Sequence, residues 1–212
     1  MRERGIIFNS EMVKAILDGR KTQTRRIVKL PIIDRDAMCE LSGNEIAGEI
    51  NGGNFRNSQI GQPGDRLWVR ETYRVHSRAT DVATLVYKAS ERQSWTQQTH
   101  RVPISECNKP VSAEKWTPSI HMPRWASRIT LEITGVRVER LQQVTDVEAM
   151  REGIQNLTTL SHADFGIPGL VNAQHPVRAF QLLWESIYGA DNWQANPWVW
   201  VIEFKRIEGE QP

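Results

Sequence analysis

Apolar positions along this chain follow two periods, and the places where one gives way to the other outline the predicted elements. Met12, Val13, Ile16 and Leu17 recur at helical spacing. With Ser10 set to cap the first turn and Gly19 to end the last, a short amphipathic helix is predicted over 11–18. Thr22 and Thr24 then favour extended backbone. The Gly64-Asp65 turn leads into Arg66-Leu67-Trp68-Val69-Arg70-Glu71-Thr72-Tyr73, where Leu67 and Val69 oppose Trp68 and Arg70, and a strand is predicted there. A second strand is expected over 83–88. A third is expected over 127–139, where Ile129, Leu131 and Ile133 share a face until Gly135, read as a bulge or bend, resets the phase to Val136 and Val138.

Helical signals return in the last third. Thr145-Asp146-Val147-Glu148 has the spacing of a capping box and predicts a helix running to Glu152, with Gly153 as its breaker. Pro176 opens a longer helix carrying Val177, Phe180, Leu183, Trp184, Ile187 and Tyr188, which Gly189 closes. Residues 198–207 alternate Trp198, Trp200, Ile202 and Phe204 against Val199, Val201, Glu203 and Lys205, the pattern of a strand buried on both faces. Stretches near 30–64, 89–126 and 155–175 lack such periods and are punctuated by glycine, proline and asparagine, so they are read as loop insertions. With no internal repeat and no clean linker, the chain reads as one α+β domain over 1–212, its strands closing on one core.

Composition narrows the function classes. At 39% hydrophobic and 25% charged residues the chain is ordinary globular protein, and no apolar run approaches the roughly 20 residues needed to span a bilayer. The charged start Met1-Arg2-Glu3-Arg4-Gly5 has no apolar stretch behind it, so no secretory signal is predicted and a cytoplasmic location is expected. Cys39 and Cys107 lie far apart, and the five histidines show no ligand spacing, so neither a metal nor another cofactor is expected. A net charge of +2 is too mild to demand a nucleic-acid partner by itself. Its distribution is more telling: Arg20, Lys21, Arg25, Arg26 and Lys29 crowd into one segment with no acid between them.

The candidate chemistry sits in that segment. In Gly19-Arg20-Lys21-Thr22-Gln23-Thr24-Arg25-Arg26 a lysine stands near two hydroxyls. Neighbouring cations and partial burial lower a lysine's pKa, and a threonine beside such a lysine becomes a nucleophile by the logic of serine–lysine pairs. The same residues serve equally well as phosphate contacts, with the threonines simply forming a strand. Glu71, after the predicted strand, is expected to pair with Lys21 or Arg26. His121, held between Pro118 and Pro123 and flanked by Trp116 and Trp125, is a candidate for stacking on or hydrogen-bonding a base. Trp68 is ambiguous between core and binding face.

The order of these motifs resembles the ASCH domain family, from near residue 6 to near residue 207. The resemblance rests on Ala15-Ile16-Leu17-Asp18-Gly19-Arg20-Lys21-Thr22-Gln23-Thr24-Arg25-Arg26, on Gly64-Asp65-Arg66-Leu67-Trp68-Val69 and on Ile129-Thr130-Leu131-Glu132-Ile133. It continues in Ala149-Met150-Arg151-Glu152-Gly153-Ile154 and Val199-Trp200-Val201-Ile202-Glu203-Phe204-Lys205. Ser119-Ile120-His121-Met122-Pro123-Arg124-Trp125 is similar to longer members carried by phages and prophages. The resemblance implies a PUA-like β-barrel with flanking short helices and a cleft suited to RNA or a modified nucleoside. It further implies an amidohydrolase acting on N4-acetylcytidine, with Lys21, Thr24 and Glu152 as the catalytic set and Arg26 holding a substrate oxygen. Arg25 stands where the small enzymes of the family carry an apolar residue. Other members are linked to RNA cleavage or to binding of RNA or DNA without chemistry, so a ribonuclease, a non-catalytic module using Arg20, Lys21, Arg25 and Arg26 on phosphates, and a phage-encoded binder of a host factor all stay open.

Overall fold

The structure, a computed structural model, describes residues 1–160 and 162–207. In chain order the elements are β1 (Glu3–Ile7), α1 (Ser10–Leu17), β2 (Gln23–Ile27), β3 (Ile32–Ile33), β4 (Glu40–Leu41), α2 (Gly43–Asn51), β5 (Arg66–Arg70), β6 (Tyr73–Arg78) and β7 (Val82–Tyr87). They continue with α3 (Trp95–Gln98), β8 (Thr99–Pro103), β9 (Thr130–Arg140), α4 (Asp146–Arg151), β10 (Gln155–Asn156), β11 (Phe165–Ile167), β12 (Val171–Ala173), α5 (Pro176–Tyr188), α6 (Ala190–Gln194) and β13 (Trp198–Ile207). The class is mixed α+β, as the periodicities predict. No helix among the described residues is long and apolar enough to cross a membrane.

The chain divides into two compact units. The first takes Met1–Asp18, Arg66–Glu132 and the chain from Arg206. Here β1 runs parallel to β5, pairing Glu3 with Arg66 through Ile7 with Arg70, and the start of β9 lies antiparallel on the other edge of β5. Gly5 is where Trp68 crosses β1: a Cβ there would stand 2.8 Å from the indole. The cap of α1 is Asn9 rather than Ser10, because Asn9 has the extended backbone that lets its Oδ1 accept from the Met12 amide at 2.9 Å. A separate sheet, β6-β7-β8, packs Tyr73, Val75, Leu85, Tyr87 and Val102 against Cys107, Met122 and Ala126. The strand predicted through residue 73 therefore breaks after Arg70, and Tyr73 starts a strand in another sheet.

The second unit takes Gly19–Asp65 and Ile133–Lys205. Strand β13 lies between β9 and β2, which explains its apolar residues on both faces. It pairs antiparallel with β2, Val199 opposite Ile27 through Glu203 opposite Gln23. Across Gly135 the buried positions of β9 switch from Ile133 to Val136 and Val138, the expected change of phase, while the strand runs on as one element. Helix α5 buries Ala179, Phe180, Leu183 and Trp184 and packs on α4, α6 and the small sheet β10-β11-β12. The stretch 30–64, read as loop, carries α2, opened by a Ser42–Glu45 capping box and anchored by the buried Ile46 and Ile50. Glycines and asparagines around those two isoleucines hid a helical spacing of four. The stretch 155–175 likewise folds, into three short strands.

Helix α2 starts against an indole: a Cβ on Gly43 would lie 2.1 Å from Trp198, whose other neighbour is the Arg140 guanidinium 4.3 Å from the ring centre. Gly43→Ala is expected to cost about 1–3 kcal/mol through overpacking, read as a lower urea midpoint by circular dichroism. An unchanged midpoint contradicts this packing.

Candidate functional site

The second unit brings the two ends of the lysine-to-glutamate motif together. Gly19, at φ 72°, turns the chain into residues 20–22. Thr22 is then pinned on both sides, its amide donating to the Arg151 carbonyl at 3.0 Å and its carbonyl accepting from the Phe204 amide at 2.9 Å. Helix α4 begins at the reciprocal Thr145–Glu148 capping box and stops at Glu152, after which Gly153 takes φ 107°. These two stops set the Lys21 ammonium against the end of α4, where Nζ donates to the Glu152 carboxylate at 2.9 Å and to the Glu152 carbonyl at 2.7 Å. The carboxylate and the negative end of the helix favour a cation there. Both side chains are buried, 2% and 4% exposed.

A larger ionic network surrounds the pair. Side chains alternate along β2, so Arg25 takes one face and Thr24 and Arg26 the other. The Arg25 guanidinium is fully buried and meets Glu152 at 3.2 Å, Glu139 at 2.6 Å and Glu148 at 3.2 Å, with the Phe180 ring centre 5.7 Å away. Arg137 on β9 joins Glu139 at 2.9 Å and Glu203 at 2.7 Å, and also bonds Glu148. Three cations thus share four carboxylates contributed by β9, α4 with its cap, and β13.

Burial strips water from Lys21 and pushes its pKa down, Glu152 pulls it back up, and the charges of Arg26 and Arg25 lower it further; the net position is below the ordinary lysine value. Burial raises the Glu148 carboxyl, but the Thr145 amide and the charges of Arg25 and Arg137 outweigh it and hold the group below the usual carboxylate range. Chemically, the site offers a desolvated amine whose proton is shared with a carboxylate, a combination able to accept and return a proton.

Of the predicted site residues, Lys21, Arg25 and Glu152 meet here. Arg25 was expected to face a ligand; instead it is enclosed by three carboxylates, because a guanidinium this deep requires anionic partners. Thr24 is buried opposite Ile202, and Arg26 is half-buried opposite Trp200, its charge felt by Lys21. Arg20 is half-buried and donates to the Gly153 carbonyl at 3.4 Å. Trp68, Glu71 and His121 belong to the first unit. Glu71 does not take Lys21 or Arg26 as its partner: buried at the break after β5, it accepts from Arg128 at 2.8 and 3.0 Å, and burial pushes its carboxyl above the ordinary value against that pull. Arg128 in turn stacks 4.0 Å over the Tyr87 ring. Trp68 packs on Gly5 and Arg70, while His121 is exposed at the end of a short 3-10 turn. Its tryptophan neighbours turn to other partners, Trp116 lying 5.2 Å under Arg74 and Trp125 packing edge-on against Tyr73 at 6.3 Å.

The sequence reading missed Glu139, Glu148, Arg137 and Glu203. The signal was available in β9, where Arg137 and Glu139 alternate with the buried Val136 and Val138 and so share one face. Comparison with protein-family models, curated proteins and solved structures finds no match for this chain.

Removing Arg25 leaves Glu139, Glu148 and Glu152 without their shared cation. Arg25→Met is expected to lower stability by about 3–5 kcal/mol, the cost typical of breaking a buried ionic group. The acid limb follows from Glu148. Its folded pKa is depressed, so its contribution is complete above the unfolded value and is lost as pH falls through the lower folded value. Arg25→Met moves that loss to higher pH. Urea midpoints measured from neutral pH to below the unfolded carboxylate value check both, and a variant as stable as the parent at neutral pH contradicts the role given to Arg25.

Proposed function

We propose that this chain is an ASCH-type amidohydrolase that removes the acyl group from an N4-acylated cytidine, its strands following a PUA-like barrel plan. The observation that carries the reading is the buried Lys21–Glu152 pair at 2.9 Å, formed between residues 131 apart in sequence. A lysine buried against a carboxylate is a pair that can pass a proton to and from an amide's leaving nitrogen, which supports the reading.

In this reading the neutral form of Lys21, which burial favours, takes the Thr24 hydroxyl proton as Thr24 Oγ attacks the acyl carbonyl carbon. Arg26 stabilises the developing oxyanion. Collapse of the tetrahedral intermediate breaks the bond to the exocyclic nitrogen, and that nitrogen leaves as the amine after taking a proton delivered through Glu152. Water, its proton passed to Lys21, then opens the threonine ester, releasing the carboxylic acid and restoring the hydroxyl. A second reading, a ribonuclease or a non-catalytic RNA or DNA module, retains Arg20 and Arg26 as phosphate contacts but loses Lys21 and Arg25, which are buried in ion pairs.

Purified protein is expected to release cytidine from N4-acetylcytidine. Thr24→Ala and Lys21→Ala are expected to lower kcat by about two to four orders of magnitude, the usual contribution of a positioned base, and Thr24→Ser to keep most of the activity. The rate is expected to rise with pH through a Lys21 pKa below the ordinary lysine value. Turnover unaffected in Thr24→Ala removes the nucleophile, and cleavage of RNA in place of cytidine release moves the reading to a ribonuclease.

A further inference from the structure

The first unit carries a face that the proposed chemistry does not use. Strands β6, β7 and β8 contain 17 residues, of which Arg74, Arg78 and Arg101 are cationic and none is acidic. Across 66–132 there are 11 lysines and arginines against 6 aspartates and glutamates. The inner face of the sheet is apolar and packed. The register places Arg74, Val86 and Thr99 in one row on the side away from that core, Val86 itself being buried, and Ser77, Thr84 and Arg101 in the next. A bulge between Val75 and Ser77 pushes His76 out between these rows. His76 is exposed and meets Trp95 edge-to-face at 4.9 Å, and Trp95 itself is 52% exposed at the start of the short α3 that leads into β8. At the other end of the face Arg74 lies 5.2 Å over the Trp116 ring.

We infer that the outer face of β6-β7-β8 binds single-stranded nucleic acid, with bases stacked on Trp95 and His76 and the backbone phosphates drawn to Arg101 and Arg74. Trp95, half in water beside strands that carry arginines and no acid, is the arrangement that stacks a base and tracks a polyanion. The polar residues between the aromatics, Ser77, Thr84 and Thr99, favour this over an apolar protein groove. Base stacking on a single indole requires unpaired bases, so a duplex fits poorly. This inference stands apart from the deacylase reading, since all its residues lie in the first unit and Lys21, Thr24 and Glu152 in the second.

The test is fluorescence anisotropy of the full chain with a labelled single-stranded RNA of about twelve nucleotides, with the same RNA as a duplex, and with polyglutamate, over a range of salt. Binding of the single strand is expected to weaken about tenfold in Trp95→Ala. It is expected to weaken by a similar factor in Arg101→Glu, with the salt slope reduced by about one. Arg35→Glu, an exposed change in the second unit, and Thr24→Ala are expected to bind as the parent does, which separates this surface from the deacylase site. Equal binding by Trp95→Ala and Arg101→Glu, preference for the duplex, preference for polyglutamate, or no salt-sensitive binding of the single strand each overturns the inference.

Discussion

The cost of burying the Arg25 guanidinium organises the second unit. A charge taken this far from water is stable only where carboxylates surround it, and the three that do so come from one strand and one short helix: Glu139 from β9, Glu148 and Glu152 from α4 and its C-cap. Their positions are themselves fixed. The Thr145 capping box sets where α4 begins, Gly153 sets where it ends, and β2 is held in register by β13. An arginine buried at this point in the strand therefore demands that helix and sheet agree to within a hydrogen-bond length. Arg137 extends the demand to Glu203 on β13.

The same network holds Lys21. Lys21 shares Glu152 with Arg25, so the carboxylate is held by two cations and cannot swing toward solvent without leaving both uncompensated. Desolvation lowers the lysine pKa, and the nearby arginines add to it. A structural ion pair and a proton-transfer pair are built from the same parts; here Arg25 shares the carboxylate from one face of β2, while Thr24 and Arg26 lie on the strand's other face.

Much of this was legible in the sequence. The capping box at Thr145, the closing glycines at 19, 153 and 189, the phase change at Gly135 and the two-faced strand at 198–207 all correspond to observed elements, because each depends on local backbone chemistry. Lys21 and Glu152 were singled out as well. What was hidden depends on tertiary partners. Arg25 read as a surface cation because its counter-charges lie more than a hundred residues away in sequence. Glu71 was given the wrong cation because nothing local marks Arg128. Helix α2 was lost among glycines and asparagines, since its two core anchors, Ile46 and Ile50, make a short periodic signal.

The account turns on Lys21 being an amine that burial has primed to accept a proton. Isotope-edited NMR of the Lys21 side chain across alkaline pH reads this directly. The account predicts a titration midpoint below the free-lysine value of 10.5, and a still lower midpoint in Glu152→Gln, where the negative charge that pulls it up is gone. A midpoint at or above that of a solvent-exposed lysine contradicts it and leaves the pair a structural tie.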